Sequence, residues 1–437
     1  MTSLRQPRTA ANIAAYTPRS MHFGRRRLLK LVVVAVVLCM SVVACGSAPG
    51  ATGPTNTTTS PSQGAASQVP TGTGPAATSP GSNSVAACKL PALAFTNVGL
   101  GIPGADYRLP SKGEVKTIVL FADFNDVPAA QTPEAMFGLI SPKAEEFYAT
   151  ESGGRMTWKL QPNYAWLRLG QPSATYGNDI RSYDGHLQFI QEAVSLADPT
   201  VDFSGADSVV VLVPPEATAI GYGPAFAANE GQGFVADGKT FANGVTSGAD
   251  LRTWGSLWLN HESGHTMGLP DLYAFTSDGS QPDIHRFVGG FGLMGYILGS
   301  APEYFAYERW QLGWLDDNQV VCLAQGDTTQ TLSAIETAGG LKAVVIPLDG
   351  SRAVVVESRR ALGYDSKLPK SGALVYEINT STATGLGPIV IHPIDAGDPW
   401  RYTSPLAPGE SVTVDGVTVS VTSATDQADV VKVTIAN

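Results

Sequence analysis

Two histidines four residues apart, His261 and His265, stand in the run His261-Glu262-Ser263-Gly264-His265. On a helix, residues at that spacing project from one face about one turn apart, the reach a single zinc ion needs from two imidazoles. Glu262 sits beside His261 and faces the same cleft, where a carboxylate can take a proton from metal-activated water and hand it to a leaving amine. Gly268 can supply the left-handed conformation that ends the helix, and Pro270 prevents its continuation. The chain therefore turns back and places Asp271 to meet the metal from another side. With six histidines in 437 residues, such a motif arises by chance in on the order of a few chains per thousand. The bland alternative is two hydrogen-bonded core histidines on an ordinary helix.

Another carboxylate competes for the third ligand position. Pro302-Glu303-Tyr304-Phe305-Ala306-Tyr307-Glu308 opens a later helix, and Glu303 near its start is either a ligand or a favourable charge at the helix dipole. His186, His285 and His392 lack spaced partners and read as surface or loop histidines. Asp123, Asn125 and Asp126 are a candidate calcium set without the full ligand spacing of a calcium loop; the alternative is an ordinary strand end.

The elements that must position these groups follow from periodicity. Val115 to Phe124 reads as a buried strand, rich in β-branched residues. Pro133 to Thr150 has helical spacing, with Pro142 placed to kink or split it. Met156 to Leu169 alternates like strands around a turn, His186 to Ala197 is an amphipathic helix, and Ser208 to Val213 is a second buried strand. Residues 221–248 form a Gly, Ala and Asn-rich loop. After Asn318 short strands follow at turn-punctuated intervals: Ala343 to Ile346, Ala353 to Glu357, Ala373 to Ile378, Ser411 to Val414 and Val430 to Ile435. That spacing predicts an antiparallel sheet or sandwich.

The span from His261 to Asp271 resembles the zinc signature of the metzincin metallopeptidases, with Asp271 where most have a third histidine. The resemblance implies a methionine turn beneath the metal: Met294, in Leu293-Met294-Gly295-Tyr296, looks like that methionine, and Tyr296 like the tyrosine that stabilises the tetrahedral intermediate. The same spacing favours Asp271 over Glu303 as third ligand. His261 through Tyr273 is more closely similar to the immune inhibitor A-type family of secreted bacterial metalloproteases. Gly292-Leu293-Met294-Gly295, Leu312-Gly313-Trp314, the strand Val354 to Arg360, and Gly363-Tyr364-Asp365 before Gly372-Ala373-Leu374-Val375-Tyr376 agree with it. The likeness runs from about Val115 to Ile435 and implies a zinc endopeptidase domain with a β-rich region packed after it. The large extra C-terminal modules of long family members are not seen, and a lipid tether is not part of the family's pattern.

Composition bounds the rest. Gly 47 and Pro 30 among 437 residues, with only 15% charged, disfavour coiled coils and favour loops and short strands. Residues 1–45 carry seven basic groups and no acid, leaving 21 basic against 38 acidic groups beyond them, net −17. That balance argues against a nucleic-acid partner. Arg25, Arg26 and Arg27 precede an apolar run from Leu31 to Ala44, shorter than the roughly 20 residues a transmembrane helix needs, so residues 1–45 read as a signal peptide. Val42-Val43-Ala44-Cys45-Gly46 resembles a bacterial lipobox, which implies lipidation of Cys45. Gly24 to Lys30 resembles a twin-arginine export signal, ordinary secretion being equally open, and Met21 is a possible alternative start. Residues 46–87 are almost wholly Ser, Thr, Pro, Gly and Ala, a tether unable to offset its own ordering entropy.

Cys39 leaves with the signal and Cys45 takes the lipid, so Cys88 and Cys322 remain to form a disulfide in an oxidising compartment. The alternative is that Cys88 serves as a latency thiolate on the metal. Residues 88–114 open the catalytic region or constitute a removable propeptide.

The expectation is thus an α+β protein: a metzincin-like zinc protease domain at 88–318 and an antiparallel, sandwich-like β-rich domain at 319–437. Zn²⁺ on His261, His265 and Asp271, with Glu262 as general base, would hydrolyse peptide bonds at the bacterial cell surface or the outer face of the cytoplasmic membrane. The alternative from another class is a binding or adhesion lipoprotein that retains the protease fold. The intact Glu262 argues against it, since a binding module has no use for that carboxylate.

Overall fold

A twelve-residue strand, β1 (Gly113–Phe124), is buried from Val119 to Phe124 without interruption, the pattern of a strand covered on both faces in a parallel sheet. This computed structural model describes residues 84–93 and 97–436; the expected signal peptide, the expected lipobox at Cys45 and the expected tether up to Asn83 lie outside the described residues. β2 (Met156–Leu169) runs parallel to β1 along its whole length, with a register shift between Val119 and Phe121. The expected pair of strands around a turn is therefore one bulged strand. Pro162 is tolerated because β2 is an edge strand and the proline sits at the irregularity, where no ladder N–H is required. Pro142 does split the preceding helix, giving Pro133–Phe137 and Lys143–Glu151.

β3 (Ser208–Leu212) continues the sheet beside β1. Residues 221–248, expected as loop, contain four short strands: β4 (Ala225–Ala227), β5 (Phe234–Ala236), β6 (Lys239–Phe241) and β7 (Asn243–Thr246). Each is too short for periodicity to register. β5 and β6 close through Asp237 and Gly238, both at positive φ, the requirement of a tight hairpin turn. The sheet order is β2-β1-β3-β7-β4, parallel except for β4, which lies antiparallel at the edge.

The second half holds β8 (Val320–Cys322), β9 (Asp327–Ser333), β10 (Ala343–Pro347), β11 (Arg352–Arg359), β12 (Gly372–Asn379), β13 (Ile389–His392), β14 (Ser411–Val414), β15 (Val417–Thr425) and β16 (Ala428–Ile435). They form two sheets, ordered β13-β12-β11-β10-β8 and β14-β15-β16-β9. Every pair is antiparallel except β8 with β10. Alternation gives the five-stranded sheet two apolar faces. Val344, Val354 and Val375 meet Val419, Val431 and Val433 of the other sheet. Val345, Val355 and Tyr376 join the core that contains Trp258, Met294 and Phe305. One apolar core thus crosses residue 318, and the expected division there is one of topology, with no gap in packing.

Buried ion pairs reinforce that junction. Arg309 reaches Glu151 at 2.9 Å and Glu303 at 2.6 Å, and Arg359 reaches Glu357 at 2.6 Å and Asp365 at 2.7 Å. Cys88 and Cys322 form a disulfide with Cα atoms 5.7 Å apart, joining the entry of the described chain to β8; the latency alternative for Cys88 therefore falls. Residues beyond Cys88 are woven into the core, with Leu90, Leu100 and Leu109 buried. Leu109 N donates to Thr266 O at 2.8 Å and Gly99 N to Gly268 O at 2.9 Å, so the segment packs directly on the end of the helix that carries the two histidines. Among the described residues no helix is long and apolar enough to cross a membrane.

The disulfide closes a loop spanning 234 residues of sequence. We expect Cys322→Ser to lower unfolding stability by about 2–4 kcal/mol, since the cross-link restricts the unfolded chain more than the folded one. Urea denaturation of oxidised wild type and variant checks this, and an unchanged midpoint would contradict it.

Candidate metal centre

The helix Ser256–Thr266 is buried on nearly all sides, so its position is set by hydrogen bonds from its own polar side chains as well as by packing. Trp258 Nε1 donates to Gly223 O at 2.9 Å, and Asn260 Nδ2 to Ala144 O at 2.9 Å. Gly268, at φ +103°, ends the helical run, and Leu269 N closes back on Gly264 O at 2.9 Å. Pro270 then turns the chain so that Asp271 faces the helix it has just left.

His261 and His265 present their rings edge to face, with centroids 4.9 Å apart. Each Nδ1 lies against a backbone carbonyl: Leu293 O at 2.9 Å for His261 and Leu269 O at 2.8 Å for His265. A carbonyl only accepts, so Nδ1 must donate, which leaves a lone pair on each Nε2 of the neutral rings. Both Nε2 atoms point at the same place. Asp271 Oδ1 is 3.3 Å from the first and 3.2 Å from the second, and this buried oxygen has no hydrogen-bond partner.

Three acceptors converging in a buried site require a cation. The donor atoms all lie within 4.8 Å of one another, and two imidazole nitrogens with one carboxylate oxygen are the donor set of a zinc site that keeps a further position open. The residues therefore fit a metal. A proton is the alternative cation: burial works to lower His265, but Asp271 overrides it and brings the imidazole up to about 9. Burial likewise acts to raise Asp271, and the two imidazoles reverse this and hold it well below the usual carboxylate range.

Glu262 occupies the same wall. Its Oε2 accepts from Ala225 N at 2.7 Å, which ties it to the edge strand β4. Burial pushes its carboxyl up to about 7, with Asp271 adding to the effect and the two imidazoles opposing it. A carboxyl poised there can exchange a proton near neutrality.

Met294 lies beneath the helix, fully buried. A Cβ added at Gly264 would stand 2.6 Å from Met294 Sδ and 3.0 Å from the Tyr304 hydroxyl. The glycine between the two histidines is thus what lets the methionine approach. We expect Gly264→Val to cost about 1–3 kcal/mol by overpacking and to weaken metal binding, as the clash lies between both ligands. Thermal unfolding and a metal titration read the two effects, and normal values in both would contradict the packing described.

The remaining expected residues are distributed differently. Glu303 precedes its helix, which starts at Ala306, and its carboxylate is engaged by Arg309 and by Tyr364 N. It is part of the buried ion network and lies outside the cluster of His261, His265 and Asp271. His186 and His285 are buried, not surface residues. His186 Nε2 lies 2.9 Å from Thr246 Oγ1, and burial brings it down to about 3. His285 stacks on Tyr296 with centroids 4.1 Å apart. His392 is half-buried on β13. Asp123 is held by Arg168 at 2.6 Å and Asp126 caps the turn at Ser173 at 2.8 and 2.9 Å, so neither carboxylate is free for calcium.

Tyr296 packs with His285 and Trp400 in a cluster of three rings, with centroids 4.1, 5.5 and 5.8 Å apart, and lines a cavity that His261 and Glu262 also line. A second tyrosine went unnoticed in the sequence. Tyr273 stacks near His261, with centroids 6.3 Å apart, and lines the same cavity as Asp271. Burial, then Asp271 and Glu262, keep its hydroxyl protonated. The signal was only its place two residues after Asp271. Two cavities of about 420 Å³ each meet at His261, Glu262, Tyr222 and Tyr273. The first runs along β4; the second is walled by Trp254, Ile284, Tyr296, Ile297 and Leu298.

No protein-family model matches the chain, and no curated protein matches it. Among solved structures that match is the crystal structure of metalloproteinase-II from Bacteroides fragilis, at 15% identity and a TM-score of 0.27. The match covers 53% of this chain and 60% of that one, so the chain spans less than two thirds of its length. Likeness at that level is too slight to fix fold or reaction, which rest on the atoms of the site.

Proposed function

We propose that this chain is a zinc endopeptidase acting outside the cytoplasm, tethered to the membrane through lipid on Cys45. The observation that carries the catalytic part is the unpartnered Asp271 Oδ1 facing two free Nε2 lone pairs, with Glu262 on the same wall. His261, His265 and Asp271 would hold the ion. Zinc there supplies Lewis acidity, polarising a scissile carbonyl and lowering the pKa of a water toward about 7.

Glu262 does the proton handling. One of its oxygens is fixed by Ala225 N–H, which leaves the other to take a proton and return it to the departing amine. The Tyr273 hydroxyl, kept protonated beside Asp271, can donate to the developing oxyanion. Tyr296, the tyrosine implied by the metzincin likeness, packs against His285 and Trp400 and suits the wall of the apolar cavity. The cleft extends on both sides of the centre, which suits cleavage within a chain, and the edge strand β4 offers an extended peptide a partner. The likeness to the immune inhibitor A-type family supports the same chemistry through its motifs alone.

The test is zinc content measured together with casein cleavage, with and without a chelator. Stoichiometric zinc and chelator-sensitive cleavage are expected. Cleavage that survives complete metal removal would refute the reading.

A further inference from the structure

The hairpin between β12 and β13 reaches back 113 residues to the segment that carries the third ligand. Thr384 Oγ1 accepts from Asp271 N at 2.8 Å, and the same hydroxyl oxygen lies 3.5 Å from Asp271 Oδ2. Gly385 N donates to Asp271 O at 3.0 Å, and Phe275 N donates to Gly385 O at 3.0 Å. Asp271 is therefore clasped at its amide, its carbonyl and its side chain by one loop of the second half of the chain. The approach is close. Gly385 has φ +71°, and a Cβ there would stand 2.2 Å from the Phe275 ring, so only glycine permits it.

An aspartate side chain has alternative staggered rotamers, and only some aim a given oxygen at a given point. Having accepted the Asp271 amide, the Thr384 hydroxyl has its proton left to direct at Oδ2. That contact, long at 3.5 Å, favours the rotamer that turns Oδ2 toward Thr384 and presents Oδ1, the unpartnered one, to both Nε2 atoms. Leu269 and Leu272 are held on either side, by His265 Nδ1 and by Met294 O respectively. The side-chain torsion of Asp271 is what remains for Thr384 to set. We infer that Thr384 is a positioning residue for the third metal ligand, so that the metal centre is completed by a loop of the C-terminal sandwich. This rests on the metal-binding reading above and extends it to residues outside the 88–318 region.

The test compares zinc affinity, by chelator competition, in the full-length protein and its Thr384→Val and Thr384→Ser variants. Outer-shell partners of metal ligands typically contribute about 10–100-fold in metal affinity, and a loss in that range is expected for Thr384→Val, which keeps the shape and removes the hydroxyl. Thr384→Ser restores the hydroxyl and should recover the affinity. Thermal unfolding of the metal-free forms is run alongside. A valine variant that binds zinc like wild type overturns the inference while leaving the metal site standing. So does a serine variant as weak as the valine one, or a valine variant whose lost affinity is matched by collapse of the metal-free fold. Wild type that binds no zinc refutes the underlying reading instead, and the inference with it.

Discussion

Glu262→Gln is expected to remove proteolysis and leave zinc in place. Positioned general acid–base groups contribute about 10²–10⁴-fold, and here a single carboxylate is asked both to take the proton and to give it back. Its burial raises it above the ordinary carboxylate range, with Asp271 adding to the effect. Glutamine keeps the shape and can still accept from Ala225 N–H through its carbonyl oxygen, so the edge strand should stay where it is. Zinc content equal to wild type with casein cleavage reduced at least about 100-fold is the expected pair of measurements. Cleavage within tenfold of wild type would remove Glu262 from the role assigned to it.

The second large effect separates two carboxylates that compete on sequence grounds. Asp271→Ala deletes one of three donors and should abolish stoichiometric zinc binding at micromolar metal, because two imidazoles alone leave the ion's charge unbalanced in a buried site. Glu303→Gln should leave zinc affinity unchanged and lower thermal stability, since it breaks a buried pair with Arg309 at 2.6 Å. Arg309 keeps Glu151 at 2.9 Å, so the loss should fall below the roughly 3–5 kcal/mol of leaving a buried charge with no partner. Retained zinc in Asp271→Ala, or lost zinc in Glu303→Gln with the fold intact, would reverse the assignment.

Several features were legible because they are local. His261 and His265 lie on one face since four residues make about one helical turn, and Gly268 with Pro270 ends the helix in any surroundings. β1 and β3 announce themselves by unbroken apolar, β-branched runs, and Pro142 divides its helix where a proline must. With Cys39 and Cys45 assigned to the expected signal and lipobox, Cys88 and Cys322 had few alternatives to each other. By contrast, β4 to β7 are three or four residues long, below the length at which alternation is visible, and the irregularity in β2 has the sequence pattern of a turn.

The sequence by itself determined that a helix would present two imidazoles and a carboxylate to one cleft, and that the chain would turn back with Asp271 in reach. Only the tertiary structure decided what surrounds them. Glu303 went to Arg309 because burial makes an unpaired charge costly and the guanidinium was the partner at hand. His186 and His285 went inside because Thr246 and the Gly295 carbonyl satisfy their ring nitrogens. Thr384 came to Asp271 across 113 residues, a contact no local spacing encodes. Short-range geometry follows from bond angles and helical pitch, whereas contacts of that range follow from which sheets can share one core, a property of the folded chain as a whole.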